Sequence, residues 1–501
     1  MSTDNSSDTA QDTHRFPISF FTKRKGYHWF VVATVCVGAF MAAVDASIVS
    51  VAQPTIAAQF HVSVSATVWI ALAYLLTLTA FLTLFGRISD MVGRRPLYTL
   101  GFGIFIIGSA AAGAAPDLGF LVVMRVVQGI GACMLQANSV AIITAAVPQT
   151  SRGRAIGIQG SALAVGLSLG PAIGGLLIDG FGWRSIFYVN VPVGIIGTTL
   201  ALLILPRDQM AKRDKSVKRQ PFDVGGTALL AIALVTLVLG LNQGNSAGWG
   251  SPLIIGYFVV GIVCTYLFFF VEKRHASPLI DLKLFSIEQI TWGNISGALS
   301  YALMYGVLYI SPFFFQYVLK RPAAESGLLT TPLPLGMVLL APIAGRIADK
   351  LGSKIPTVIG MFLATVGCAA LALAGRTTSY PYLVVALFLV GVGMGAFTPP
   401  NNSAVMGSTP KDRLGVSSGV LNMARSLGQS VGIAYAFAIF EGVILALGYH
   451  PETAPIHDLI PGFRVSFIGV GVLGVAALLI SAFRGNVEKL EGSAEAHAIE
   501  L

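Results

Sequence analysis

The sequence predicts an all-α polytopic membrane protein with about fourteen transmembrane helices. Three observations carry this. Of 501 residues, 54% are hydrophobic and only 11% charged, whereas soluble domains carry about 25% charged residues. The apolar residues fall into fourteen runs, close to the ~20 residues that a helix needs to cross a bilayer. A ten-residue segment between two runs also returns, changed at a few positions, in the second half of the chain.

The first element, residues 1–28, is a polar tail. It lacks the order of a cleaved signal peptide, in which charge comes first and a small-residue site follows. The first span is therefore expected to stay in the protein. Six spans follow: Trp29–Val51, Val68–Phe85, Leu97–Ala115, Phe120–Val147, Ala155–Ile178 and Ser185–Leu205. Two more are Val224–Gln243 and Leu253–Val271. The last six are Thr291–Tyr317, Leu328–Ile347, Pro356–Ala374, Tyr382–Pro399, Val416–Leu447 and Val465–Ala482. Backbone groups find no water in hydrocarbon, so runs this continuous are helices. All five tryptophans (Trp29, Trp69, Trp183, Trp249, Trp292) stand near span ends, where membrane interfaces favour them.

Orientation follows from the basic residues. With the N-terminus inside, 25 of the 32 Lys and Arg residues fall in cytoplasmic segments, as the positive-inside rule expects. Both termini are then cytoplasmic, and the membrane is the cell inner (plasma) membrane. The same placement explains the net charge of +9 without nucleic acid.

Gly86-Arg87-Ile88-Ser89-Asp90-Met91-Val92-Gly93-Arg94-Arg95 recurs as Gly345-Arg346-Ile347-Ala348-Asp349-Lys350-Leu351-Gly352-Ser353-Lys354. Ser168-Leu169-Gly170 recurs at nearly the same offset as Ser426-Leu427-Gly428. These matches predict a duplicated six-helix unit. The expected plan is a tail (1–28), a first repeat (29–205), linkers with two inserted spans (206–290), a second repeat (291–482) and a second tail (483–501). Such repeats are typical of transporters that rock around a midplane site. A sensor, channel or membrane enzyme has less reason for them. Cys36, Cys133, Cys264 and Cys368 all lie inside apolar runs, which argues against disulfides or a metal site. No Gly-rich Lys-Ser/Thr phosphate loop and no catalytic cluster is present, so neither ATP nor enzymatic chemistry is expected.

Four motifs carry chemistry. In the Gly86–Arg95 loop, Gly86 and Gly93 permit a tight turn, Asp90 can accept from a helix N-terminus or an arginine, and Arg87, Arg94 and Arg95 are cationic. In the fifth span, Gly166, Gly170 and Gly174 are spaced by four and make a smooth face for a partner helix. Pro171 and Gly175 complete Gly-Pro-x-x-Gly-Gly, and the proline bends the helix. Arg125 is followed by Gln128 and Gly129 inside the fourth span. A charge there is costly and usually faces protein or a water-filled cavity, although snorkelling to the outer interface is an alternative. Asp45 is the sole acidic residue of the first six spans. A carboxyl group in low dielectric can take up and release a proton near neutral pH. The alternative is a structural hydrogen bond to backbone or to Arg125.

Over nearly its whole length the chain resembles the major facilitator superfamily, and in particular the fourteen-helix drug:proton antiporters of EmrB/QacA type. The resemblance implies the major facilitator fold, two six-helix repeats plus two inserted helices. It implies that the Gly86–Arg95 segment latches the halves on the cytoplasmic side and that the Gly166–Gly175 motif marks antiport. It implies proton coupling through Asp45 and Arg125, with Glu441 as a second protonation site or drug contact. Glu441 could equally sit at the outer interface. By the same resemblance, spans one, four, nine and twelve line the cavity, bringing Asn138, Asn294, Tyr301, Tyr305 and Asn401 to it. The implied activity is proton-coupled multidrug efflux by alternating access, with no cofactor beyond the proton gradient. The alternative is a dedicated transporter of one metabolite, such as an organic acid or sugar. Expected partners are the bilayer, protons and hydrophobic or cationic small molecules, with or without a periplasmic adaptor and outer-membrane channel.

Overall fold

A computed structural model describes residues 26–148, 151–206, 224–274, 282–410, 413–451 and 453–484. The two polar tails and the linker stretches 207–223 and 275–281 lie outside the described residues.

Among the described residues, fourteen helices are long and apolar enough to cross a membrane. In the first repeat these are α1 (Tyr27–Phe60), α2 (Val64–Val92), α3 (Arg94–Gly113), α4 (Leu118–Ala146), α5 (Arg152–Phe181) and α6 (Ser185–Ile204). The inserted pair is α7 (Val224–Ala247) and α8 (Pro252–Glu272). The second repeat holds α9 (Glu288–Val318), α10 (Ala323–Ala348), α11 (Lys354–Ala372), α12 (Tyr380–Gly407), α13 (Leu414–Ala446) and α14 (Ile456–Phe483). An even number of crossings brings both chain ends to one side of the bundle. We call this the tail end and the other the far end.

Several helices outrun their apolar cores. The first span, read as ending at Val51, continues through Pro54 to Phe60. Proline removes one ladder bond, and neighbouring helices can satisfy the groups it frees. In the turn before Pro54, Gln316 of α9 donates to the Val51 carbonyl at 3.0 Å. The repeated Gly86–Arg95 segment is also more helical than a loop reading implies. Residues Gly86–Val92 continue α2, and Arg94 already opens α3. The chain turns at Gly93 alone, whose φ is 108°, a region open to glycine and strained for other residues. Its repeat partner Gly352 has φ 81°. Gly86 makes no turn; it sits mid-helix with open space where a side chain would point. The second glycine of each copy is thus conformational and the first is not.

Packing follows the duplication. Small residues let membrane helices approach closely where no hydrophobic force drives them together. Gly166, Gly170 and Gly174 of α5 lie against Phe40–Ile48 of α1, and Gly428 and Gly432 of α13 lie against Ala298 and Ala302 of α9. A methyl group at Gly170 would overlap Ser47, and one at Gly432 would overlap the Ala302 carbonyl. The inserted pair leans on both repeats: α7 reaches α2 through Asn242, which donates to the Ser65 carbonyl, and α13 through Asn245, which donates to the Ala438 carbonyl. Helix α8 presents Ile255, Val259, Ile262 and Tyr266 outward, as a lipid-facing helix does.

The two repeats meet at the far end. The Ala324 amide of α10 donates to Asp179 of α5 at 2.9 Å, and Ser65 of α2 donates to Glu441 of α13 at 2.9 Å. At the tail end, a side chain added at Gly86, Gly157, Gly160 or Gly345 would meet nothing within 4 Å.

The α7–α8 turn is at the far end. A cysteine introduced at Ala247 should therefore react with an impermeant maleimide added to intact cells, while one at Ile204 should not. Labelling at Ala247 only from the cytoplasmic side would reverse the orientation read from the basic residues.

Candidate functional site

The costliest groups in an apolar bundle are its buried charges, and two of them meet inside the first repeat. Asp45 of α1 and Arg125 of α4 are both fully buried, with Arg125 Nη1 2.6 Å from Asp45 Oδ2. Neighbours supply further partners. Asp45 Oδ1 accepts from Gln128 Nε2 at 2.7 Å and from Asn190 Nδ2 at 2.9 Å. Arg125 donates through Nε to the Ile70 carbonyl at 2.9 Å and through Nη1 to Gln128 Oε1 at 2.6 Å. Its guanidinium lies 4.4 Å from the centroid of the Tyr74 ring, a cation–π contact that strengthens on desolvation. Ser109 closes the set, accepting from Gln128 and Asn190 and donating to the Phe187 carbonyl. The side chains come from α1, α2, α3, α4 and α6, so the pair is clamped by nearly the whole repeat.

Geometry places both side chains inside the repeat. Arg125 does not snorkel, and Asp45 bonds to it. All three partners of the Asp45 carboxyl group are donors. Gln128 and Asn190 complete the site. Gln128 carried a signal, since Arg-x-x-Gln places both side chains on one helix face. Asn190 carried only the weaker one of an amide at a span's edge.

The Gly166–Gly175 motif has two faces. Gly166, Gly170 and Gly174 seat α5 on α1, as above. Pro171 and Gly175 face the other repeat: a methyl at Gly175 would overlap the Ala323 carbonyl, and one at Gly327 would overlap the Pro171 carbonyl. The motif forms part of the far-end seal. Of the Gly86–Arg95 motif, the side chains of Arg87 and Asp90 lie outside the described residues. Arg94 donates to the Ala141 carbonyl of α4 at 3.1 Å and Arg95 to the Leu202 carbonyl of α6 at 2.7 Å. Both tie α3 to a neighbour, and Arg95 does so at the last turn of α6, where helix carbonyls lack intrahelical donors. Glu441 is buried in the far-end seal, held by Ser65.

The cavity candidates separate. Asn294, Tyr301 and Asn401 line one small opening of about 10 Å³ in the tail-end half of the second repeat, together with Thr398 and Arg425. Asn138 and Tyr305 do not. Asn138 is buried with Nδ2 on the Met134 carbonyl. Tyr305 is buried and stacks on Tyr309, with centroids 6.0 Å apart. Arg425 stands over the Tyr301 ring at 5.1 Å.

A family model described as Major Facilitator Superfamily matches residues 35–433. The chain is 35% identical over 412 residues to the riboflavin transporter RibZ of Clostridioides difficile, covering 82% of this chain and 88% of that one. It is 31% identical to the multidrug resistance protein Stp of Mycobacterium tuberculosis, covering 82% and 74%. The fold superposes with a TM-score of 0.63 on a bacterial homolog of the human lysosomal transporter Spinster in an inward-facing, unoccupied conformation. That match has 18% identity and covers 92% of this chain and 97% of that one.

The far-end seal makes a steric prediction. Gly175→Leu should force α5 and α10 apart there, because the added carbons occupy the place of a backbone carbonyl. In purified protein, a cysteine introduced at Ala324 should react several-fold faster with maleimide in the Gly175→Leu background. Gly86→Ala, which meets nothing, should leave the rate unchanged.

Proposed function

The chain belongs to the major facilitator superfamily, and from that premise we propose that it is a proton-coupled exporter of small hydrophobic molecules, a drug:proton antiporter working by alternating access. The family and fold are those of multi-pass membrane transporters, which are not enzymes. The observation that carries the finer reading is the Asp45–Arg125 pair. Intramembrane charges of this kind mark ion and proton pathways. This one is fully buried and held by three hydrogen-bond donors to the carboxyl group.

In this reading the tail end faces the cytoplasm, and the contacts between the repeats at the far end support an inward-facing state. Substrate enters between the repeats from the cytoplasmic side. The far end then opens, and a proton reaching Asp45 releases it from Arg125 and its amide partners. Breaking a buried pair costs about 3–5 kcal/mol when one charge is left uncompensated. That is large enough to shift a two-state equilibrium that ~5.5 kcal/mol would invert completely. Glu441 stands where the far-end seal must open and is the second candidate to take a proton. Arg87, Asp90, Gly93, Arg94 and Arg95 act on the cytoplasmic latch in this reading, and Gly93 supplies the turn.

Similarity to a multidrug resistance protein supports a broad substrate range. A second reading, a dedicated carrier of one solute, is supported by the similarity to a protein named as a riboflavin transporter. The two differ in competition. A broad exporter is inhibited by chemically unrelated dyes, and a dedicated carrier by close analogues of one solute.

The deciding assay is dye efflux in inverted vesicles, with the pH gradient switched on and off. Wild-type transport should stop when the gradient is collapsed. Asp45→Asn is nearly isosteric and neutral, so it should reach the membrane, because an amide is cheaper to bury than a carboxylate. It should lose uphill transport, while Asp45→Glu retains part. Wild-type uphill rates in Asp45→Asn would place the proton carrier elsewhere and make Glu441 the residue to test.

A further inference from the structure

The inserted pair α7–α8 stands outside the duplication, so the duplication gives it no role. Its contacts do. The hydrogen bond from Ser65 of α2 to Glu441 of α13 crosses between the repeats at the far end, and α7 stands against both helices that make it. Asn242, which is buried, donates through Nδ2 to the Ser65 carbonyl. One turn further along α7, Asn245 donates through Nδ2 to the Ala438 carbonyl of α13. Ala438 lies one turn before Glu441.

The two ties differ in strength. Asn242 reaches Ser65 at 3.5 Å, longer than the ~2.7–3.2 Å of an ordinary N–H···O bond. Asn245 is bonded at both ends, for its Oδ1 accepts from Trp249 Nε1 at 2.8 Å. The indole can only donate and the carbonyl can only accept, so the amide fits one way round. Gly442 of α13 leaves it room: a methyl there would come within 3.2 Å of Asn245 Oδ1. Trp249 stacks on Phe258 of α8 with centroids 6.5 Å apart, and a methyl at Gly244 would overlap the indole ring. The inserted pair is thus one packed unit, tied firmly to α13 and weakly to α2.

When the far end opens, α2 and α13 must part, because they belong to different repeats. A helix bonded to both must let one go, and the longer bond is the cheaper to lose. We infer that the inserted pair is a jaw of the far-end gate carried by the second repeat. Asn242 is the gating residue that releases Ser65. Asn245, oriented by Trp249, is the positioning residue that keeps α7 on α13. Ser65 is where the gate closes, its hydroxyl on Glu441 and its carbonyl under Asn242. The inference rests on the alternating-access reading.

The test is pulsed electron–electron resonance on the purified full-length protein in nanodiscs, with no pH gradient and the four native cysteines replaced by alanine. Three pairs of spin labels are placed at the far end. Val62 with Leu447 reports the seam between α2 and α13. Val62 with Ala247 reports the tie of α7 to α2, and Ala247 with Leu447 its tie to α13. Each pair is read at neutral and acid pH and in the Gly175→Leu background, which wedges the far end. Wherever the seam pair shows a longer component, the Val62 and Ala247 pair should show it with the same weight. The Ala247 and Leu447 pair should keep one distance. Asn245→Leu should give that last pair a second, longer component, and Trp249→Phe, which keeps a ring but loses the N–H, should do so to a smaller extent. Asn242→Leu should raise the open-to-closed ratio of the seam about twofold and leave α7 on α13.

An Ala247 and Leu447 distance that lengthens with the seam, while Val62 and Ala247 stay together, would put α7 on the first repeat and overturn the inference. So would unchanged distances in Asn245→Leu, an unchanged ratio in Asn242→Leu, or a seam that lengthens under none of these conditions. Export is read separately in vesicles. A protein whose seam opens with α7 on α13 but that never pumps would overturn the proton-driven reading and leave the jaw standing. Gradient-driven efflux with α7 held on α2 would do the reverse.

Discussion

A carboxylate and a guanidinium taken out of water must be repaid by neighbours that use every remaining lone pair and proton. Asp45 and Arg125 are held by such partners only when five helices are in register. Ile70 supplies a carbonyl from α2, Ser109 a hydroxyl from α3, Gln128 both ends of its amide from α4, and Asn190 a donor from α6. Tyr74 covers the guanidinium face. If one member moves away, a buried charge loses a partner. The first repeat is thus pinned at its centre by electrostatics, while lipid, as apolar as the side chains it meets, provides no such pin.

Around that pin, glycine decides which surfaces may touch. The groove on α5 admits α1, and the equivalent groove on α13 admits α9. These contacts lie within each repeat and suit bodies that move as units. Contacts between repeats gather at the far end, where Gly175 and Gly327 bring backbones against one another. A transporter needs this division: firm seams inside each half and a separable seam between them. The open space beside Gly86, Gly157, Gly160 and Gly345 leaves room at the tail end for the opposite seam to form.

The fold was legible because hydrocarbon imposes a length and an apolar composition on every crossing, and fourteen such runs stand in the chain. The helix ends were less so. α1 and α2 continue past their apolar cores, where neighbours rather than lipid satisfy them, as Gln316 does near Pro54. The candidate site was legible as single residues, each conspicuous as a charge or a glycine motif in an apolar run. Its assembly was not. Asp45 and Arg125 are far apart in the chain, and sequence spacing carries no information on contacts between helices. Asn190 and Arg425 fell out for the same reason, since each takes its meaning from a partner on another helix. In the Gly86–Arg95 segment both glycines read as turn residues, and only the backbone angle at Gly93 separates the one that turns the chain from the one that does not.

The two polar sites lie in different repeats, yet one helix face joins them. Tyr301, Tyr305 and Tyr309 recur every four residues along α9, so they share a face. At one end Arg425 stands over the Tyr301 ring. In the middle Tyr305 stacks on Tyr309. At the other end the Tyr309 hydroxyl donates to the Ala46 carbonyl at 2.6 Å, one residue from Asp45. A shift of α1 when Asp45 leaves its partners therefore acts directly on the hydrogen bond that fastens α9. Close-packed side chains transmit such displacements because they have discrete arrangements and few voids. In the proton-coupled cycle proposed above, this single hydrogen bond at the seam between the repeats is where a change at Asp45 would meet α9.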